Sequence, residues 1–230
     1  MSLINTISSI SEKIKYIRTF PRETIHLDPT ESATAFYRLA TKRHPRYLII
    51  PFKAVGVALL QIPDNFDDFI KGHPMRVLRQ NRNRALKSGY QFKAINTMEH
   101  LNEVLEINSC TGIRQGRQMP PEYFNAEKVE TFTRKFPTMF GVVDSNGVLR
   151  SYIIAEFYGE ICVLIRILGH VEHESDGIMY LMVGGLVEYI IEKYPRVKWI
   201  MYDTFVGAPQ SLRFFKEKLG FRPYWVHWDI

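Results

Sequence analysis

The sequence predicts a mixed α/β domain: a mostly antiparallel central sheet with helices on both faces, preceded by an N-terminal helical and strand extension. Three observations predict it. Short apolar runs of strand length fill the second half of the chain, and Ser145-Asn146-Gly147 joins two of them as a tight hairpin. The last three of these runs alternate with helical segments, the pattern of β-α-β crossovers. From Tyr90 onward the order reads βααβββαβαβ.

Taken in order, residues 1–20 place Leu3, Ile7, Ile10, Ile14 and Ile17 at helical spacing, an amphipathic helix expected to pack on the domain. A peripheral membrane contact is its alternative role. Aliphatic residues from Tyr47 to Gln61, around Pro51 and Gly56, predict two short strands. Helices follow over 64–71 and 73–88, the second with Pro74 in its first turn. Residues 1–70 therefore read as an extension, and 71–230 as the main domain. Tyr90 to Ile95 predicts a strand, and Thr97 opens a helix carrying Leu101, Val104, Leu105 and Asn108. A polar loop, Thr111 to Pro121, leads to a helix over 121–135. Strands are expected at 138–144, 148–158, 160–168, 197–204 and 221–228, with helices over 175–193 and 209–219.

At 46% hydrophobic and 23% charged residues, the chain is ordinary in composition, which excludes collagen-like, low-complexity and wholly disordered classes. No apolar run approaches the roughly 18 residues needed to cross a bilayer, and no leader-like block opens the chain. Cys110 and Cys162 form no disulfide framework, which points to a reducing, cytoplasmic setting. His170 and His173 are close but lack further ligand spacing, so no metal site is expected. The net charge of +6 is local. Seven Lys or Arg and no acid lie between Lys71 and Lys93; elsewhere 23 basic residues face 24 acidic ones. Such a patch attracts phosphates, acidic proteins or anionic surfaces, unless it is simply a solvated helix face.

The closing segment Leu212-Arg-Phe-Phe-Lys-Glu-Lys-Leu-Gly-Phe-Arg-Pro, together with the element order, resembles the GNAT acyltransferase fold. Lys216 stands where many such enzymes have Tyr. Phe-Lys-x-x-x-Gly after a strand ending in Asp looks more like the Fem-type aminoacyltransferases and the N-acyl amino acid synthases. The helix Arg79-Gln-Asn-Arg82-Asn-Arg-Ala85-Leu-Lys-Ser-Gly89 is also similar to the arginine-rich helix preceding that domain. The resemblance covers about residues 70–230.

It implies an N-acyltransferase that moves an acyl or aminoacyl group from a thioester or ester to a primary amine of a small molecule or peptide. The donor implied is acyl-CoA, an acyl carrier protein or an aminoacyl-tRNA. By the same resemblance, Gly169 to Tyr180 is the loop that cradles donor phosphate, with Ser175, Gly177 and Tyr180 as its candidate contacts. Glu172, Glu174 and Asp176 depart from the family pattern and would repel an acetyl-CoA pyrophosphate by roughly a few kcal/mol. Ser175 and Asp176 are equally explained as N-cap and first-turn acid. Lys216 is the candidate for stabilising an oxyanion, against a plain surface lysine. Asp203, which alternates with Trp199 and Met201 onto an apolar face, is a candidate base or anchor for the amine, against a cap of the next turn.

Arg82 falls in the centre of the apolar stripe Met75, Leu78, Ala85, Leu86, so it needs either a protein carboxylate or an anionic substrate. Arg114 and Arg117 lie where this fold shapes its acceptor pocket, and their forks match a carboxylate or phosphate. Arg76, Arg79, Arg84 and Lys87 are the candidate docking surface for an anionic donor. Two rival readings stand beside the transferase: a GNAT-like binding protein without catalysis, favoured by the acidic loop, and a basic nucleic-acid binder, which lacks interleaved exposed aromatics.

Overall fold

Local signals set the elements. The side chains of Thr30, Asn65 and Asn125 each accept a bond from the backbone N–H three residues on, at 3.2, 2.9 and 2.9 Å, and so start three helices. Asp144 organises the hairpin: its Oδ1 accepts from the N–H groups of Asn146 and Val148, while Gly147 takes the left-handed conformation.

The computed structural model describes residues 15–44, 51–96, 98–114, 116–136 and 138–230. In chain order the elements are β1 (Arg22–His26), α1 (Glu31–Thr41), β2 (Val55–Gln61), α2 (Phe66–Ile70), α3 (Arg76–Lys87), β3 (Gln91–Ile95) and α4 (Leu101–Ser109). The short hairpin β4 (Ile113–Arg114) and β5 (Arg117–Gln118) and a 3₁₀ turn, Pro121–Tyr123, lead to α5 (Ala126–Lys135). Then come β6 (Met139–Val143), β7 (Leu149–Tyr158), β8 (Ile161–Gly169), a 3₁₀ turn over Val171–Asp176, α6 (Ile178–Lys193), β9 (Trp199–Thr204), α7 (Gln210–Lys218) and β10 (Arg222–Asp229).

Eight strands form one sheet in the order β1-β10-β2-β9-β8-β7-β6-β3. Only β1–β10 and β8–β9 are parallel pairs, so the sheet is mostly antiparallel. One face packs on α3 and α6 through Leu78, Ala85, Leu181, Val183 and Leu186. The other packs on α1 through Ala33 and Phe36, and on α4 and α5 through Val104, Ile107 and Val129. Nine of the sixteen residues of α6 are buried, among them Gly184 and Gly185. A Cβ on Gly185 would lie 2.3 Å from Phe92, so this glycine lets α6 lie close on β3.

The structure adds β1 and α1, in the stretch 21–46 of the extension for which the sequence pattern predicts no element. It also draws the extension into the sheet, since β2 lies between β10 and β9. Of the two strands expected from Tyr47, the second is Val55–Gln61; the first falls on residues 45–50, which lie outside the described residues, as do residues 1–14 of the expected N-terminal helix. The loop over 111–121 contains the unexpected β4–β5 hairpin, and the expected helix over 121–135 is a 3₁₀ turn followed by α5. Among the described residues, no helix is long and apolar enough to cross a membrane. Leu86, placed on the buried stripe of α3 by its spacing, is 42% exposed, because that stripe narrows to Leu78 and Ala85.

Candidate active site

Parallel strands β8 and β9 pair only over Ile161–Val163 with Trp199–Met201. Beyond these residues they diverge, and a cavity of ≈ 390 Å³ opens at their C-terminal ends. Its walls come from Ile167 and Gly169 of β8, Tyr202 of β9, Tyr180 of α6 and Phe215 of α7, and the β4 residues Ile113 and Arg114 reach its rim. A parallel pair that separates is a natural ligand cleft, because it opens backbone and side chains of both strands at the carboxyl edge.

The polar groups of this cavity are few. Glu174, in the 3₁₀ turn, enters half-buried, and burial raises its carboxyl pKa against the opposing pull of Arg114. Arg114 Nη1 lies 3.4 Å from Glu174, and its Nη2 donates to the Ile107 carbonyl at 2.8 Å. Burial also raises the phenols of Tyr180 and Tyr202, which keeps both protonated as hydrogen-bond donors at neutral pH. Ser211 completes the set.

Behind the Tyr202 wall, Lys216 is fully buried. Its ammonium donates to the carbonyls of Tyr202 and Thr204 at 2.7 and 2.9 Å and lies 4.5 Å from the centre of the Tyr202 ring. Burial lowers its pKa to about 8, with Asp203 pulling the other way. The sequence reading turned this ammonium toward a reacting acyl group; the structure turns it onto the end of β9. Asp203 also departs from expectation. It takes a φ of 52°, breaks the alternation of β9, and is exposed rather than on the apolar face, where it pairs with Lys53. No motif or spacing in the sequence singles out Lys53.

The candidate phosphate loop is likewise rearranged. Ser175 caps no helix: its carbonyl accepts from Arg84 at 2.8 Å, while left-handed Gly177 caps α6. Asp176 accepts from the Tyr90 hydroxyl at 2.7 Å. A Cβ at Gly177 would meet the Asn81 carbonyl at 2.3 Å, so the glycine is explained by α3 crossing the start of α6. With α3 filling that approach and Glu174 facing the cavity, the loop does not fit a coenzyme A pyrophosphate.

Arg82 is not in the cavity. It pairs with Glu188 at 2.9 Å and lies 4.8 Å from the centre of the Phe66 ring, so the partner its buried position demands is a protein carboxylate. Arg117 is exposed and reaches the Gly207 carbonyl at 3.5 Å. Arg79 binds the carbonyls of Ile70 and Gly72, which fixes the turn before α3. Arg76 and Lys87 remain exposed on α3. Sequence reasoning also missed Arg166 of β8. It lies 4.1 and 3.7 Å from the ring centres of Tyr123 and Phe132, beside a second cavity along α5.

No protein-family model and no curated protein matches the sequence. Solved structures do. FemX aligns with a TM-score of 0.58 at 14% identity, covering 74% of this chain and 59% of its own. L-PGS from Bacillus licheniformis aligns at 0.52 and 19% identity, covering 73% and 57%. A conserved protein of unknown function from Bacteroides thetaiotaomicron aligns at 0.54 and 16% identity, covering 71% and 55%. The chain shares its fold with FemX and with L-PGS. It spans well under two thirds of each of these three structures.

Proposed function

We propose that the chain is an acyl- or aminoacyltransferase that transfers its group to a primary amine within the cleft between β8 and β9. The observation that carries this reading is the divergence of the two parallel strands around a cavity that combines a raised carboxyl with protonated phenols. In this reading the amine attacks the acyl carbonyl directly. Tyr180, Tyr202 and Ser211 are the hydroxyl donors available to the developing oxyanion, and Glu174 takes the proton the amine loses. The tetrahedral intermediate then collapses and expels the donor's thiolate or alkoxide, which takes up a proton. Lys216 acts as a positioning residue, holding the end of β9 and the Tyr202 ring in place.

The misfit at the start of α6 favours a donor carried on a macromolecule, an acyl carrier protein or an aminoacyl-tRNA, docked by the exposed cations of α3. The test is a transfer assay with acetyl-CoA, long-chain acyl-CoA, acyl carrier protein and aminoacyl-tRNA, each with a panel of amines. Glu174→Gln is expected to lower the rate of the productive pair about 100-fold, with the circular dichroism unchanged. An undiminished rate removes Glu174 from the mechanism. Absence of transfer from every donor favours the second reading, a binding protein without catalysis, which the Arg114–Glu174 pair at the cavity supports.

A further inference from the structure

The acidic loop that repels phosphate holds a group of side chains that the transfer reading leaves unused. One nitrogen each of His170 and His173 and a carboxylate oxygen of Glu172 all lie within 4.8 Å of one another, and the two imidazole centres are 5.5 Å apart. Three ligating side chains within one 3₁₀ turn converge because His170 and His173 are three residues apart, one turn of that helix.

The surroundings set the state of each ring. The Tyr90 hydroxyl donates to Asp176 at 2.7 Å, so its oxygen is left to accept the Nδ1 proton of His173 at 2.8 Å. That leaves His173 Nε2 as a lone pair. His170 is 8% exposed; its Nε2 faces the Glu106 carboxylate at 3.6 Å, which favours the proton there, and its Nδ1 is buried without a partner. A buried imidazole lone pair without a donor is costly unless something fills it. Both histidines thus have one nitrogen oriented toward a carboxylate, directly or through a tyrosine, and the other free, the arrangement in which metal-ligating histidines are held.

We propose that His170, Glu172 and His173 bind a divalent transition metal of the zinc class. Two neutral imidazoles and one carboxylate suit such an ion and not magnesium or calcium, which take oxygen ligands. The ion would fasten the 3₁₀ turn between β8 and α6 and offset part of its acidic charge. Tyr90 is a positioning residue, since it orients His173 without touching the metal. The inference does not depend on the transfer reading.

The experiment is calorimetric titration of the full chain, first stripped with chelator, with zinc alone and with magnesium alone. One saturable zinc site and no magnesium site are expected. Glu172→Gln and His173→Ala are each expected to weaken zinc binding at least tenfold, and Tyr90→Phe by a similar factor through loss of ring orientation. Glu172 is exposed, so its variant keeps the fold even where a histidine variant does not, and circular dichroism checks this. Absence of saturable zinc binding overturns the proposal. So does a zinc site of undiminished affinity in Glu172→Gln and His173→Ala, which would place the ion elsewhere.

Discussion

Lys216 shows how one side chain links stability to pH. Unfolded, its ammonium keeps its proton to near 10.5; folded, burial brings the pKa down to about 8. Between those values the unfolded chain binds more protons, so this group makes stability rise with pH from 8 upward and contributes no slope below it. Its own contribution between pH 8 and 9.5 is a gain of about 2 kcal/mol, from about 1.4 kcal/mol per unit. From about pH 9 the buried thiol of Cys162, and above pH 10 the raised phenols of Tyr152, Tyr158 and Tyr202, act in the opposite sense. Urea unfolding of wild type and Lys216→Met at pH 7.5, 8.5 and 9.5 checks this: the slope belongs to wild type alone, and an equal slope in the variant assigns it elsewhere. The sequence singled out Lys216 but could not orient it, because nothing in a helical wheel indicates which carbonyls a buried ammonium will meet. Asp203 was misplaced for a different reason. Its positive φ breaks the two-residue alternation from which its direction had been inferred. Glu174 was visible in the sequence only as an obstacle to phosphate; burial against the cavity makes it a candidate base, and burial is a property of the folded chain.

At the scale of the element, α3 divides its cations between structure and surface. Arg79, Arg82 and Arg84 are bonded to carbonyls or to Glu188, whereas Arg76 and Lys87 stay exposed. The double variant Arg76→Glu and Lys87→Glu is therefore expected to weaken binding of aminoacyl-tRNA or acyl carrier protein about tenfold at low salt, with no change in melting temperature. Fluorescence anisotropy at two salt concentrations measures it, and unchanged affinity defeats the docking surface. The elements differed in how plainly they could be read. The β6–β7 hairpin was legible because Asn146-Gly147 permits few other conformations. The helix over Glu31–Thr41 was missed although Thr30 caps it and Ala33, Phe36 and Ala40 share its buried face. Its partner β1, Arg-Glu-Thr-Ile-His, carries a single buried side chain, Ile25, too little for a periodic signal.

For the whole molecule, the position of β2 decides what can stand alone. A fragment beginning at residue 71 lacks a strand that bonds both β9 and β10, along with Val57 and Leu59 of the core. Such a fragment is expected to show no cooperative thermal transition, whereas the full chain does; a sharp transition in the fragment would show that the second part folds independently. The sheet order itself was only partly foreseeable, because interior placement of β2 depends on pairings between residues far apart in the sequence. Among the strand pairs, β1 with β10 is the most distant, and there His26 meets Asp229 across 203 positions. At ordinary rates of synthesis the two ends of that pair emerge on the order of tens of seconds apart. Throughout that interval Ile25, and Phe36 behind it, have no β10 to cover them. A newborn chain therefore passes through a stage in which this apolar surface lies open, and the cell's folding helpers should meet it at β1 and α1.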